Sequence, residues 1–324
     1  MLAAMGDSAL EKTAAFILAN DDFTLIAHVS PDGDTLGCTC ALRLALIKLN
    51  KKVQAVCENA APKIYRFLPG IDGLIAPENA IATSAAIAID CADEGRMGAA
   101  KAIWDNAGHT ANIDHHGTNT MYAQLNCVAT SAAAAAEVIF KLITLLQVDI
   151  DKDIATCLYC GLVTDTGNFA YSNTTEHTHY AAGKLMSLGA DNALINRAVY
   201  RSAPISKRRM LGVGLVKAEY VFGGKIAYCL LTRADYAKFN ARDEDTEGII
   251  DNLRDVESVE IAILIRETED GAYKVSMRSK EYADVCAIAM LYGGGGHKQA
   301  AGCTVRGEIS TISGELIELA KKAI

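Results

Sequence analysis

The chain has 324 residues, 51% of them apolar, with 31 basic and 39 acidic side chains and a formal net charge of −8. That length suits two domains, and the apolar share with only five prolines excludes a disordered chain. The acidic balance argues against tracking of a long nucleic acid, which needs a basic face, and favours a small anionic substrate or a short oligonucleotide.

The N-terminal MLAAMGDSALEK has no basic n-region and no uninterrupted apolar core, so no signal peptide is expected. Ser8 to Asn20 reads as a helix, Phe23 to Val29 as a buried strand, and Pro31 to Asp34 as a turn. A helix from Leu36 to Asn50 and a strand from Lys52 to Cys57 follow. Ala85–Asp90 and His109–Asp114 read as strands, with a helix over Arg96–Asn106 between them. The longest apolar stretch, Ser131 to Val148, is broken by Glu137 and Lys141, which predicts an Ala-rich helix and no membrane span. Ile154–Val163 and Thr174–Leu188 are helical, and Ala193–Gly214 forms one or two helices around Pro204. A new pattern then begins, with strands near Lys225–Leu231, Ser258–Arg266 and Ala272–Ser279. The fold class is therefore α/β, with an N-terminal doubly wound, mainly parallel sheet and a smaller C-terminal α/β domain. Its expected division is 1–192, a helical linker or hinge over 193–212, and 213–324. Ten cysteines without framework spacing fit reduced thiols in a cytoplasm.

Several short segments carry the chemistry. In HVSPDGDTLG a strand delivers His28, and the turn brings Asp32 and Asp34 back toward it, one acid for each of two ions. The same residues read alone as an Asp-rich turn after a strand-end histidine. Asp90 ends an apolar strand, either as a helix cap or as a carboxylate bridging two ions. In NIDHHGTN, Asp114 would orient an imidazole, while one of His115 and His116 sits on metal and the other faces a phosphate. A solvated polar loop is the alternative. Asp165 is a last ligand or part of a helix C-terminal turn capped by Gly167. Carboxylate oxygens with imidazoles suit Mn²⁺ or Mg²⁺ rather than a thiolate metal.

In the C-terminal part, GGGGHKQAAG offers backbone amides from Gly293 to Gly296, then His297 and Lys298. With a small-residue helix after the glycines, this reads as an anion site; a flexible hairpin is the alternative. Arg278 shares a strand face with Ser276 and Lys280, as a phosphate clamp or on a solvated face. Cys157-x-x-Cys160 is read as core packing, His177 and His179 as surface residues, His109 as a strand residue, and Asp243–Glu247 as a solvated helix start.

Together HVSPDGDTLG, AIDCAD, NIDHHGTN, VTDTGNF, DTEGIIDNLRDVESVE and GGGGHKQAAG resemble, in order and spacing, the DHH phosphoesterase superfamily with a DHH-associated C-terminal domain. The branch most similar is that of the bifunctional oligoribonuclease/pAp-phosphatase proteins. The resemblance implies an active-site cleft between the domains and two Mn²⁺ ions, with Mg²⁺ as the other candidate. One ion would be held by His28, Asp32 and Asp90, the other by Asp34, Asp90, His115 and Asp165. His116 would contact the scissile phosphate, with Asp90 and Asp114 completing the catalytic set. Arg278, Gly294, Gly295, Gly296 and His297 would grip the substrate.

The activity implied is hydrolysis of very short RNA to mononucleotides, and of 3′-phosphoadenosine 5′-phosphate (pAp) to AMP, by a two-metal-activated water. The alternatives are a phosphodiesterase of cyclic di-AMP or linear pApA, and a catalytically silent nucleotide-binding protein. The implied partners are short RNA oligonucleotides and phosphorylated nucleotides, with no long duplex and no membrane. A homodimer through the first domain fits the same resemblance. Thr35 and Cys38 stand where relatives often carry Ala and Ser, which bears on specificity.

Overall fold

A computed structural model of the chain describes residues 7–324 and divides it into two units, Met1–Ser202 and Ala203–Ile324. The signal-peptide reading falls partly on residues 1–6, outside the described residues.

The first unit has strands β1 (Asp22–Ala27), β2 (Lys52–Val56), β3 (Leu74–Ile75), β4 (Ala85–Ile89), β5 (His109–Asp114) and β6 (Leu125–Val128). They form one parallel sheet in the order β3-β2-β1-β4-β5-β6. Its helices are α1 (Asp7–Ala19), α2 (Gly33–Lys48), α3 (Lys101–Asn106), α4 (Ala135–Leu145), α5 (Lys152–Asp165), α6 (Glu176–Ser187) and α7 (Asn192–Asn196). The strands are short apolar runs because both sheet faces are covered. Leu25, Ile87 and Ile113 pack toward α1, α2, α4 and α5, while Ile26, Ala86 and Ala88 pack against Met97, Ala100 and Trp104. The strand order changes direction between β1 and β4, and such a switch point leaves a crevice at the carboxyl ends of the strands.

The second unit contains a mixed sheet, in the order β11-β12-β10-β9-β8-β7. Its strands are β7 (Glu219–Val221), β8 (Ile226–Leu231), β9 (Ile261–Glu267), β10 (Tyr273–Ser279), β11 (Gly295–His297) and β12 (Ala300–Val305). Helices α8 (Ile205–Lys217), α9 (Arg233–Phe239), α10 (Ile249–Arg254), α11 (Val285–Met290) and α12 (Ile309–Ala323) complete it. Ile261, Ile263 and Met277 face the core under α11 and α12, while Ala262 and Leu264 face the core formed with α8 and α10. The α/β class and the parallel sheet in the first unit are as the sequence led us to expect.

Local readings need correction. The PDGD segment is not a free turn. Asp32 caps α2 through its carboxylate, and Gly33 and Asp34 already belong to the helix. Gly33 is required by packing, since a Cβ there would lie 2.5 Å from Thr164 Oγ1. The helix expected over Arg96–Asn106 is a 3-10 segment followed by α3, broken where Gly98 takes φ +55°. Asp165 is the last residue of α5 rather than a residue beyond it. The glycine run of GGGGHKQAAG leads into the β11–β12 hairpin, so no helix dipole follows it. Within Asp243–Glu247, Asp245 is buried and accepts the Arg242 amide. Residues 193–212 are almost wholly helical, shared among α7, a π-turn over Arg197–Arg201, and α8.

All ten cysteines are free thiols, and Cys157 and Cys160 are buried in α5 as core residues. No helix among the described residues is long and apolar enough to cross a membrane.

Helices α2 and α5 pack closely, because Gly37 faces the Cys157 carbonyl and Gly161 faces Asp34. Gly37→Ala puts a methyl group against that backbone oxygen, an overpacking that costs about 1–3 kcal/mol. Trp104, the only tryptophan, lies in this unit, so its fluorescence should report an earlier unfolding midpoint in the variant. An unchanged midpoint would show that the two helices are not in tight contact at Gly37.

Candidate metal centre

Three strand ends and two helix ends converge in the first unit. His28 follows β1, Asp90 follows β4, and Asp114 closes β5 ahead of His115 and His116. Asp32 and Asp34 lie at the start of α2, and Asp165 at the end of α5. His28, Asp32 and Asp90 offer ligand atoms within 4.8 Å of one another, and so do Asp34, His115 and Asp165. Asp90 joins the two groups. Its Oδ2 lies 3.7 Å from His28 Nε2 and its Oδ1 lies 3.5 Å from His115 Nε2. All six residues assigned to metal by resemblance therefore meet in one place, as two adjacent sets.

The backbone is arranged for this. Asp90 takes φ +54°, a left-handed conformation rare for a residue with a side chain, and its amide donates to the Ile113 carbonyl at 2.9 Å. Thr35 Oγ1 donates to Asp90 Oδ2 at 2.6 Å and fixes the carboxylate plane. Asp34 is fully buried and accepts the Ala135 and Ala136 amides at 2.6 and 3.1 Å, at the start of α4. That helix start has no side-chain cap of its own, so the Ala-rich run serves as a dipolar cradle for Asp34. Cys38 Sγ also donates to it, at 3.2 Å.

The histidine tautomers follow from their partners. His28 Nδ1 lies 2.7 Å from the Val29 carbonyl and His115 Nδ1 lies 3.3 Å from the Ala132 carbonyl. A carbonyl only accepts, so each Nδ1 carries the proton and each Nε2 turns a bare lone pair to the centre. His28 Nε2, His115 Nε2 and Asp90 Oδ1 are buried without a hydrogen-bond partner. Three lone pairs with no donor, surrounded by carboxylates, fit divalent cations and the hard O/N donor set suited to Mn²⁺ or Mg²⁺.

Asp114 plays a different part. Its Oδ1 accepts from His116 Nδ1 at 2.7 Å and from the His115 and His116 amides at 2.7 and 3.3 Å, while Oδ2 accepts from Asn119 at 2.5 Å. These bonds occupy the carboxylate and orient His116, although Asp114 also stands with Asp90, His115 and His116 in a third group whose ligand atoms lie within 4.8 Å of one another. Burial works against its charge, but the bonds from His116 and Asn119 hold its carboxyl below the usual range. The same bond, more than any other contact, raises the pKa of His116. Burial pushes Asp34 well above the usual carboxylate range, with Asp90, Asp165 and Asp32 adding repulsion. Burial likewise lifts Asp165 to about 6, with His115 opposing the shift.

The motif spacing did not mark the supporting residues Thr35 and Asn119, nor Arg96, whose Nη2 lies 3.1 Å from His28 Nδ1. Asn119 is marked in the sequence only by lying inside a quoted motif, and Thr35 by that and by its departure from relatives. An apolar cavity of about 840 Å³ lies elsewhere, lined by Leu10, Phe140, Leu145 and Tyr180 among others, and touches none of the metal-centre residues.

In the second unit, Arg278 pairs with Ala300 across β10 and β12, and His297 pairs with Ala300 from β11. Directly paired residues share a face, so Arg278 and His297 flank Ala300 on one side of the sheet. Gly295 and Ser276 flank Gly302 in the same way. The Gly294 amide donates to the Ala289 carbonyl, so it is not open to an anion. A Cβ on Gly296 would strike the Ala300 carbonyl, so the hairpin closes tightly there.

Residues 22–162 match the N-terminal domain of the DHH family and residues 223–324 match the DHHA1 domain. The bifunctional oligoribonuclease and PAP phosphatase NrnA of Thermus thermophilus is 35% identical over 285 residues, covering 87% of this chain and 84% of its own length. The protein of the same name from Bacillus subtilis is 24% identical, with 88% and 90% covered. An exopolyphosphatase-related protein from Bacteroides fragilis has a similar fold, with a TM-score of 0.88 at 24% identity over 100% of this chain and 97% of its own.

The raised carboxyls set a pH dependence for the metal-free protein. Folded Asp165 and Asp34 keep protons that the unfolded chain releases near 3.8, so raising the pH from there to about 6 favours unfolding. Measured as the difference from Asp165→Asn, which removes one of these titrations, the melting temperature after chelation should fall across that window, and added Mn²⁺ should remove that fall. A difference that climbs across the window would contradict this account of the centre.

Proposed function

The chain belongs to the DHH family, and from that premise we propose that it hydrolyses very short RNA to mononucleotides and pAp to AMP. The observation that carries this reading is the meeting of two ligand sets at Asp90, with three buried lone pairs left bare. His28, Asp32 and Asp90 would hold one Mn²⁺, and Asp34, Asp90, His115 and Asp165 a second. Bound there, the two ions would supply an activated water and neutralise phosphoryl oxygens. The choice of substrates is supported by the relatives named above, which are oligoribonucleases and PAP phosphatases by name.

The chain's own residues do the rest. Asp114 holds His116 through Nδ1, which leaves Nε2 to donate to a phosphoryl oxygen, and a raised pKa keeps that proton in place. Thr35 keeps Asp90 in the orientation that both ligand sets require. Arg278 and His297 give the anionic substrate two donors on one sheet face, with Ala300 and Gly302 leaving room between them. Gly295 and Gly296 bring the hairpin backbone close to that face.

The test is a comparison, at equal concentration with Mn²⁺, of pAp, RNA dimers to pentamers, a 24-mer RNA, pApA and cyclic di-AMP. Mononucleotides from the short RNAs and phosphate from pAp are expected. Preference for pApA or cyclic di-AMP would replace these substrates, and binding without any hydrolysis would replace the enzyme by a nucleotide-binding protein. His116→Ala is expected to lower kcat by about a hundredfold or more, as loss of a donor to the reacting group does. Arg278→Ala is expected to raise KM with a smaller effect on kcat; an unchanged KM for every phosphorylated substrate would remove Arg278 from the site.

A further inference from the structure

Arg96 lies beside the metal centre, and nothing in the site so far described uses it. Its guanidinium is half-buried, with Nη2 3.1 Å from His28 Nδ1. That nitrogen already gives its proton to the Val29 carbonyl at 2.7 Å, so it has no lone pair to offer the guanidinium. Arg96 forms no ion pair among the described residues, although the region is rich in carboxylates. The acids around its own segment are engaged elsewhere. Asp93 accepts the Gly95 and Arg96 amides, Glu58 accepts the Ala99 amide, and Glu94 faces Lys101 at 3.5 Å.

The residue is anchored, and no carboxylate pairs with its guanidinium among the described residues. Its carbonyl accepts the Val29 amide at 2.7 Å, which ties it to the strand end that presents His28. Its charge also reaches His116, where it works against protonation. An arginine fork held beside His28, with no carboxylate on it, is arranged for an anion that arrives from outside. Guanidinium donors match phosphoryl oxygens in geometry and charge.

We propose that Arg96 binds a non-bridging oxygen of the phosphoryl group presented to the centre, as the first unit's own phosphate-recognition residue. The assignment rests on the phosphoesterase reading of the site. It gives His116 and Arg96 complementary places, since the Asp90 carboxylate lies 3.5 Å from His116 and 3.7 Å from His28, the histidine that Arg96 contacts.

Inorganic phosphate is the probe, titrated calorimetrically into the full chain loaded with Mn²⁺. Arg96→Ala should weaken phosphate binding by about ten- to a hundredfold, the range for a charged hydrogen bond, while Mn²⁺ affinity stays unchanged. Arg96→Lys should recover part of the loss, since it restores the charge without the fork. Undiminished phosphate binding in Arg96→Ala would overturn the proposal. So would a loss that only tracks lost Mn²⁺, because Arg96 would then be a support for His28. Arg96→Gln, which keeps the stem and a donor, answers the same question if the alanine variant does not fold. Arg96-dependent phosphate binding in a protein that cleaves neither short RNA nor pAp would keep this assignment and remove those substrates. Cleavage of both by Arg96→Ala with unchanged KM would do the reverse.

Discussion

Carboxylates crowded around the buried Asp34 and Asp90 govern this structure. Asp32, Asp34, Asp90 and Asp165 stand around two imidazole lone pairs, and at an effective dielectric constant near 20 two like charges 4 Å apart oppose one another by about 4 kcal/mol. The fold relieves part of this with neutral dipoles. Two amides at the start of α4 and the Cys38 thiol face Asp34, and the Thr35 hydroxyl faces Asp90. The remainder shows in the raised carboxyls of Asp34 and Asp165, which keep protons past their ordinary range when no cation is there. Helix packing is subordinate to the same need. Gly161 lies where any side chain would collide with the Asp34 carboxylate, so the contact between α2 and α5 is shaped around an acid.

Much of the centre was legible because a parallel sheet writes its active edge into short apolar runs. His28, Asp90 and Asp114 each end such a run, so their convergence followed from strand alternation alone. What supports them was not legible. The amides that hold Asp34 lie 101 and 102 residues further along the chain, and no local pattern announces a carboxylate capping a distant helix. The glycine run misled for a related reason. Ala300–Val305 is short in β-branched residues, and it becomes a strand through its pairing with β10 rather than by propensity. Gly98 splits an expected helix because the chain there must pass close to Glu58 and Val29, which only the folded contacts reveal.

The adjacent histidines show how one residue type is put to two uses. His115 leans its Nδ1 on a carbonyl, which fixes the tautomer and adds no charge. His116 leans its Nδ1 on a buried carboxylate, which fixes the tautomer and favours the protonated ring. The first arrangement suits a neutral ligand with a bare Nε2, the second a cationic donor. Asp114 is thus the residue that separates the two roles, and it does so because Asn119 and three donors from the His115–His116 pair occupy its oxygens.

A chain with a net charge of −8 must keep its cations local if it is to hold a phosphorylated ligand. The second unit sets two such cations among small residues. Arg278 and His297 are cross-strand neighbours of the same Ala300, and Ser276 and Gly295 are neighbours of the same Gly302. A bulky residue at either central position would fill the space between the two donors, and a carboxylate there would neutralise them. An anion on this face would be admitted by what β12 omits, and a compact phosphate would fit it better than an extended strand, whose successive phosphates need a longer basic track.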